Sequence, residues 1–227
     1  MSGPWSTGGA GLAIEHVPVL APVDSLRLEG ILSVPTAARG AVLFAHGSGS
    51  SRHSPRNRYV ADILNESGLA TLLIDLLTED EQQVDLQTAH LRFDIGLLAK
   101  RLEGITEWLA GHPEVKGLNI GHFGASTGAG AALVAAAELP QLVRTVVSRG
   151  GRPDLAGPFL AAVKAPTLLI VGGADTAVIE LNRRAMAHMH CEKELRIVPG
   201  ATHLFEERGA LERVAELARD WFLKKLA

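Results

Sequence analysis

Short apolar runs alternate with longer segments of mixed polarity along this chain, and the alternation predicts its secondary structure. Apolar runs at residues 17–20 and 26–34, with turn residues between them, predict two N-terminal strands. Beyond them, the predicted strands are residues 41–45, 70–75, 118–123, 145–148, 167–171 and 194–198, and the predicted helices are residues 58–66, 92–109, 129–137 and 204–226. Strands that alternate with helices predict an α/β fold, in which a mostly parallel central sheet carries helices on both faces.

No internal repeat or linker interrupts this alternation, so we expect one domain over residues 13–227 and a flexible tail over residues 1–12, which are rich in Gly and Ser. Residues 76–90 form the one long acidic connection. We predict a solvated surface loop there, and the alternative is a wall of a site, because the segment follows the carboxyl end of a strand. No stretch is long enough for a separate cap domain, which predicts an open pocket and a small substrate.

The composition argues against several classes of function. With 227 residues, 47% of them hydrophobic, and a formal net charge of −3, the chain is long enough to bury a sizeable core and is not a polyelectrolyte. No basic patch is interleaved with aromatic residues, so nucleic acid is not an expected partner. The longest apolar stretch is too short to span a bilayer, and the first residues lack the features of a secretory signal. Because Cys191 is the only cysteine, no intramolecular disulfide can form, and we expect a cytoplasmic protein. A monomer or a homodimer is expected.

The run Gly124-Ala125-Ser126-Thr127-Gly128 is the most informative local pattern, because it follows a predicted strand and precedes a helix of small residues. A G-x-S-x-G segment in this context exposes its serine on a sharp turn as a nucleophile. Taken alone, the pattern also fits a tight packing turn, since glycines let neighbouring backbone approach closely. Asp175 and His203 favour the interpretation of Ser126 as a nucleophile over that of a packing turn, because each of them lies in the loop that follows a predicted strand.

Ser126, His203 and Asp175 are the residue types that acyl transfer requires. A serine hydroxyl is almost fully protonated at neutral pH, so an imidazole must accept its proton during attack and a carboxylate must orient that imidazole. The carboxyl ends of parallel strands share one edge of a sheet, and we expect all three side chains to meet there. The sequence therefore predicts Ser126 as nucleophile, His203 as general base and Asp175 as its orienting acid.

Four segments together resemble the α/β-hydrolase superfamily, and within it the small, capless dienelactone-hydrolase-like branch. They are residues 44–50 (Phe-Ala-His-Gly-Ser-Gly-Ser), 124–128, 170–175 (Ile-Val-Gly-Gly-Ala-Asp) and 200–203 (Gly-Ala-Thr-His), and the resemblance covers nearly all of the chain from residue 41. The order Ser, Asp, His along the chain is that of the superfamily. In its members, the loop after the strand at 41–45 and the residue after the nucleophile donate N–H groups to an oxyanion hole, which implies Ser48 and Thr127 here.

The resemblance implies a serine hydrolase of small carboxylic esters or lactones that works through an acyl-enzyme, and no cofactor or metal is expected. One departure is that dienelactone hydrolases carry a cysteine where this chain has Ser126; their activating acid and substrate-binding arginines have no assigned counterparts. Cleavage of peptides, thioesters or amides by the same triad is an alternative, and so is a receptor that binds without turnover. Nucleotide binding at residues 47–50 is disfavoured, because no Gly-Lys-Ser/Thr follows.

Other polar residues near strand ends receive structural interpretations. Asp154 is the alternative acid, but Asp175 is preferred and Asp154 is expected to cap the next helix. Arg149 and Arg152 are expected to form surface pairs, with contact to a substrate carboxylate as the alternative. His46 is expected to support its loop by hydrogen bonding.

Three further groups complete the candidates. His122 is expected to be a satisfied core residue. Arg52, Arg56 and Asn57 follow the loop that carries Ser48. One of them is expected to contact either the substrate or the backbone of that loop. The last group, His188, His190 and Cys191, consists of residue types that bind metals. Helical positions two apart face different directions, so a metal site at these residues is disfavoured.

Overall fold

The structure, a computed structural model, describes residues 12–227. Of the tail predicted over residues 1–12, residues 1–11 lie outside the described residues. Within this range eight strands form one sheet. They are β1 (Ile14–Val23), β2 (Leu26–Pro35), β3 (Ala41–Ala45), β4 (Ala70–Ile74), β5 (Ile120–Ala125), β6 (Val143–Arg149), β7 (Thr167–Gly172) and β8 (Lys193–Val198). Their order across the sheet is β1-β2-β4-β3-β5-β6-β7-β8. From β4 to β8 every neighbouring pair is parallel, whereas β2 pairs antiparallel with β1 and β4. The mostly parallel sheet is thus confirmed.

Helices cover both faces of the sheet, as predicted. They are α1 (Pro55–Glu66), α2 (Glu79–Thr88), α3 (Ile95–Gly111), α4 (Thr127–Glu138), α5 (Thr176–His188) and α6 (Ala210–Leu226). One core lies under α1 and α6 and includes Phe44 and Phe222, while the other lies under α3 and α4 and includes Leu43 and Leu133. All of these side chains are fully buried, and each contributes about 1.5–3 kcal/mol of transfer free energy to folding. Successive residues of β3 serve opposite cores, which is why a central parallel strand has no polar face.

The expectation of a solvated loop over residues 76–90 is wrong, because this segment contains α2. The hydroxyl of Thr78 accepts a hydrogen bond from Glu81 N–H at 3.3 Å, and the Glu81 carboxylate accepts one from Thr78 N–H at 2.9 Å. This reciprocal capping box satisfies two backbone donors at the start of the helix. The acidic residues Glu79, Asp80 and Glu81 occupy its first turn, where their negative charge interacts favourably with the partial positive charge of the helix N-terminus. The acidic composition therefore marks a helix start.

Several helix boundaries also differ from the predicted ones, and two of them have a clear local cause. The helix predicted from residue 92 begins at Ile95, where the Asp94 side chain accepts a hydrogen bond from Leu97 N–H at 2.9 Å. The closing helix begins at Ala210 rather than at residue 204, because Phe205 and Gly209 adopt left-handed backbone conformations with φ of 56° and 78°. The residues between β8 and α6 consequently form a loop. None of the helices found between residues 12 and 227 combines the length and apolarity that crossing a bilayer would require.

Candidate active site

Ser126 lies between β5 and α4 in a strained backbone conformation, with φ of 50° and ψ of −120°. A positive φ in a residue with a Cβ atom costs about 1–3 kcal/mol and persists only where the surrounding structure enforces it. Two backbone hydrogen bonds do so: Ser126 N–H donates to the Arg149 carbonyl at 3.2 Å, and Arg152 N–H donates to the Ser126 carbonyl at 3.0 Å. The serine is thereby tied to the carboxyl end of β6.

The two glycines of the motif make this turn sterically possible. A Cβ atom at Gly124 would lie 2.4 Å from the Ala129 Cα atom, and one at Gly128 would lie 2.2 Å from the Ala45 carbonyl oxygen. Both distances are far inside van der Waals contact, and both neighbours are backbone. Only glycine therefore lets β5, α4 and the end of β3 approach each other this closely.

The loops after β7 and β8 carry Asp175 and His203 and are bonded to each other. Gly173 N–H donates to the Val198 carbonyl at 2.8 Å, and Ala174 N–H donates to the Ala201 carbonyl at 2.9 Å. These bonds fix the relative position of the two loops just beyond the sheet edge.

The structure brings the three predicted side chains together. His203 Nδ1 lies 2.7 Å from Asp175 Oδ2, and His203 Nε2 lies 3.3 Å from Ser126 Oγ. An ionised carboxylate only accepts hydrogen bonds, so Nδ1 carries the proton in the neutral imidazole and Nε2 presents a lone pair to the serine hydroxyl. The Asp175 side chain is 16% exposed and that of His203 is 38% exposed. The imidazole is thus accessible from the solvent side while its carboxylate partner is shielded.

The two predicted oxyanion donors lie next to each other. Ser48 N–H donates to Thr127 Oγ1 at 3.1 Å, and the hydroxyls of the two residues are 3.0 Å apart. Thr127 is the first residue of α4, and N–H groups in a first helical turn have no acceptor within the helix. In this state the Ser48 amide is therefore occupied by the Thr127 hydroxyl.

His46 and Asp75 support the loop that carries Ser48. His46 Nδ1 lies 3.1 Å from the Gly47 carbonyl, and His46 Nε2 accepts a hydrogen bond from Leu76 N–H at 3.3 Å. Burial lowers the pKa of His46, which keeps the ring neutral with Nδ1–H as the donor to Gly47. Asp75, which the sequence reasoning did not single out, accepts hydrogen bonds from the backbone and the guanidinium of Arg52. Its position directly after β4, at the carboxyl end of a parallel strand, is the sequence signal that could have identified it.

A cleft of about 490 Å³ opens beside this loop. Its walls are residues 46–51 and 53–56, Thr127 and one side of α2 with Gln82 and Leu86. The segment at 76–90 thus forms a wall of the cleft, which was the alternative for it.

Three further predictions for this edge of the sheet are resolved. Asp154 does not cap a helix: it forms a two-pronged ion pair with Arg152, at 2.9 and 2.8 Å, in the first turn of a 3₁₀ segment (Pro153–Ala162). The expectation of a surface ion pair is wrong for Arg149, which is only 8% exposed and whose described hydrogen-bond partner is Asn57. Its place in a strand covered on both faces explains the burial. His122 is a fully buried core residue, as predicted.

Comparisons with known proteins agree with this architecture. A sequence profile of the dienelactone hydrolase family matches residues 28–225. A protein of Mycobacterium tuberculosis strain H37Rv, provisionally named a phosphoribosyl transferase, is 60% identical over 213 residues, which are 93% of this chain and 46% of that protein. The chain therefore spans about half the length of the curated relatives it matches.

Solved structures extend the similarity to three dimensions. The crystal structure of a dienelactone hydrolase from Anabaena variabilis is 59% identical, with a TM-score of 0.93, over 94% of this chain and 99% of that chain. A dienelactone hydrolase-like promiscuous phosphotriesterase from metagenomic libraries is 16% identical, with a TM-score of 0.78, over 95% of this chain and 100% of that chain. The second likeness concerns the fold alone.

Proposed function

Since the chain belongs to the dienelactone hydrolase family, we propose that it hydrolyses small carboxylic esters or lactones with Ser126 as its nucleophile. The observation that carries the proposal is one imidazole, that of His203, lying 3.3 Å from the Ser126 hydroxyl and 2.7 Å from the Asp175 carboxylate. A base within hydrogen-bond reach of a hydroxyl, oriented by a third group, is the arrangement that activates a serine.

In the first half of the proposed reaction, Ser126 Oγ attacks the ester carbonyl while His203 Nε2 accepts its proton. Asp175 stabilises the resulting imidazolium and keeps its ring in place. The carbonyl oxygen becomes an oxyanion next to the N–H groups of Ser48 and Thr127, and it replaces the Thr127 hydroxyl as the acceptor of the Ser48 N–H group. His203 then protonates the leaving alcohol, which departs and leaves an acyl-enzyme.

In the second half, water attacks the acyl-enzyme with the same base, and Ser126 is regenerated as the free acid leaves. A lactone follows the same steps, with the alcohol and the acid remaining in one molecule. The cleft of about 490 Å³ is lined by Ser48 and by Thr127, the residue after Ser126, and not by the triad side chains themselves. Its volume lies within the range of roughly 300–1,000 Å³ for small-molecule sites, which supports a small substrate bound next to the nucleophile. A cytoplasmic setting, which suits a chain with Cys191 as its only cysteine, belongs to the same proposal.

The provisional name of the mycobacterial relative does not compete directly with this proposal. Because the chain covers 46% of that protein, the named activity can reside in the other half of the relative. Hydrolysis is the activity that residues of this chain support.

The proposal is tested with the variants Ser126→Ala and Asp175→Asn on 4-nitrophenyl acetate. Loss of the nucleophile is expected to lower kcat by about 10⁶-fold, and loss of the orienting carboxylate by about 10⁴-fold. The control is Ser25→Ala, in the exposed turn between β1 and β2, which is expected to keep the parent rate. A Ser126→Ala protein that turns over at the parent rate would refute the assignment. Labelling of Ser126 by a fluorophosphonate without turnover of any ester in a panel would instead support the receptor alternative.

A further inference from the structure

Residues 46–54, the loop between β3 and α1, approach the nucleophile closely. A Cβ atom at Gly47 would lie 3.0 Å from both the Ser126 Cβ atom and the Ala125 carbonyl oxygen. Ser48, the next residue, carries one of the two oxyanion donors of the proposed reaction. A small shift of this loop would therefore change the distance between the Ser48 N–H group and a carbonyl at Ser126.

The hydrogen bond that now holds the Ser48 amide is one that the proposed reaction removes. Ser48 N–H donates to Thr127 Oγ1 at 3.1 Å, and the oxyanion would replace that hydroxyl as the acceptor. The Ser48 hydroxyl lies 3.0 Å from Thr127 Oγ1 and 3.4 Å from the Arg92 carbonyl. Both of these contacts pass through a rotatable side chain, so they leave the direction of the amide free. The amide must be held by contacts made elsewhere in the loop.

Arg52 makes such a contact, four residues after Ser48. Its backbone N–H donates to Asp75 Oδ1 at 2.6 Å, and its guanidinium pairs with Asp75 Oδ2. Asp75 is only 3% exposed, so solvent and salt screen this pair little. Hydrogen bonds to an ionised carboxylate are among the strong ones, and here one of them reaches the backbone itself. The loop is thereby fixed at residue 52.

Asp75 is in turn held by the sheet. It directly follows β4, and its N–H donates to the Glu29 carbonyl in β2 at 3.0 Å. Because β4 and β3 are parallel neighbours, the end of β4 lies beside the start of the loop. Leu76 N–H donates there to His46 Nε2 at 3.3 Å. Two consecutive residues after β4 thus hold the loop on both sides of Ser48.

The Asp75–Arg52 pair stands apart from the space available to a substrate. Of the described residues that line the cleft, none is Arg52 or Asp75. The guanidinium also pairs with Glu29, whose side chain is 54% exposed, so it is directed away from the cleft. Taking an ion pair out of water is costly, and such a pair adds little to stability by itself. The pair can therefore affect the reaction only through the loop that it holds.

We propose that Asp75 and Arg52 are positioning residues, which keep the Ser48 N–H group directed at the oxyanion that forms on Ser126. This role rests on the proposed ester hydrolysis. One oxyanion donor is worth about 10²–10³-fold in kcat, so a donor that is present but misdirected loses part of that factor. Because the interaction strengthens only in the transition state, kcat and kcat/KM should fall together while KM stays the same.

The first test is Asp75→Asn, measured with 4-nitrophenyl acetate. Asparagine keeps the size of the side chain but removes the charge and one of the two acceptor oxygens. We expect kcat to fall by about 10- to 100-fold, with an unchanged KM. The control is Leu109→Ala, which opens a cavity in the core under α3 and should keep the parent kcat at a temperature at which both variants are folded. An Asp75→Asn protein with the parent kcat, or with a change in KM alone, would overturn the inference.

The second test uses Arg52→Gln, alone and together with Asp75→Asn. The Arg52 side chain is 23% exposed, so this variant keeps a measurable fold even if the buried substitution does not. Alone, it is expected to lower kcat at constant KM. Two residues that act as one unit give non-additive effects, so the double variant should be about as slow as the slower single variant. A parent kcat in Arg52→Gln, or losses that multiply in the double variant, would overturn the inference.

Labelling of Ser126 by a fluorophosphonate separates this inference from the proposed function. Ser126 Oγ attacks the phosphorus, fluoride leaves, the hydroxyl proton passes to His203, and the phosphoryl oxygen gains negative charge during the attack. Slower labelling of Asp75→Asn in a protein that hydrolyses no ester would support the positioning pair and remove the hydrolase assignment. Ester hydrolysis and labelling at parent rates in Asp75→Asn would leave the hydrolase assignment intact and remove the positioning pair.

Discussion

His122, in β5, leads to the prediction that this protein loses stability in weak acid. Its side chain is fully buried, and Nε2 lies 3.0 Å from the Thr106 hydroxyl. Burial lowers the pKa of His122 from its ordinary value of 6.5 to about 4. The folded protein therefore keeps this imidazole neutral at pH values at which the unfolded chain already binds a proton.

The sign and size of the effect follow from this difference. As the pH falls below 6.5 the unfolded chain gains a proton and the folded protein does not, so the equilibrium moves toward unfolding until the pH reaches about 4. The interval is roughly 2.5 pH units, and at about 1.36 kcal/mol per unit it corresponds to a loss of ~3 kcal/mol. That is a large share of the 5–15 kcal/mol, in rough terms, that separates folded from unfolded domains.

The assay is urea unfolding at pH 7, 5.5 and 4, followed by tryptophan fluorescence, for the parent protein and His122→Gln. Glutamine keeps a polar group for Thr106 and does not titrate. The free energy of unfolding is expected to fall between pH 7 and pH 4 by ~3 kcal/mol more in the parent than in the variant. His188→Gln, an exposed position at the end of α5, is the control and is expected to keep the pH dependence of the parent.

The comparison between proteins removes the contribution of every other titrating group, including the partly buried His46, whose pKa is also lowered. If His122→Gln loses as much stability on acidification as the parent, the idea that the buried imidazole resists protonation is wrong.

Two further predictions concern the close packing around the nucleophile and the pairing under α2. Gly128→Ala is expected to lower Tm and abolish ester hydrolysis, because the new Cβ atom would lie 2.2 Å from the Ala45 carbonyl oxygen. Thermal melting and turnover of 4-nitrophenyl acetate measure the two effects. The control Gly111→Ala, at a position with open space around it, should match the parent protein in both measurements. Glu81→Gln is expected to lower the free energy of unfolding, measured in urea, by about 3–5 kcal/mol, because it leaves the charge of the buried Arg101 without its carboxylate partner. The control Glu180→Gln breaks an exposed pair with Arg183 and should change the free energy of unfolding by less than about 1 kcal/mol. Equal losses in the two variants would contradict the reasoning from burial.

Several central strands were predictable because a strand covered on both faces of the sheet reads as a short, mostly apolar run. The run at 41–45 matches β3 residue for residue. The helix α2 was missed for the opposite reason: it has few apolar positions, and Asp85 is its buried residue. The local signal was the pattern Thr78-x-x-Glu81, which identifies a capped helix start without any hydrophobic periodicity.

The meeting of Ser126, Asp175 and His203 could be anticipated because parallel strands end at one edge, so sequence positions at strand ends become spatial neighbours. The burial of Arg149 could not be anticipated in the same way. Arg149 ends β6, one residue beyond the predicted strand, and its side chain contacts Asn57 of α1, which lies 92 positions away along the chain. Contacts between elements far apart in sequence decide this, and no local pattern reports them.

The contact between Ser48 and Thr127 has a consequence for the proposed reaction. In the free protein the Ser48 amide already donates to a neutral hydroxyl at 3.1 Å. A neutral ester carbonyl that replaced this hydroxyl would exchange one neutral acceptor for another and gain little. An oxyanion is a charged acceptor, and hydrogen bonds to charged groups are roughly twice as strong as neutral ones. The exchange would therefore favour the tetrahedral intermediate over the bound ester, and interactions that strengthen only as charge develops are the ones that raise kcat.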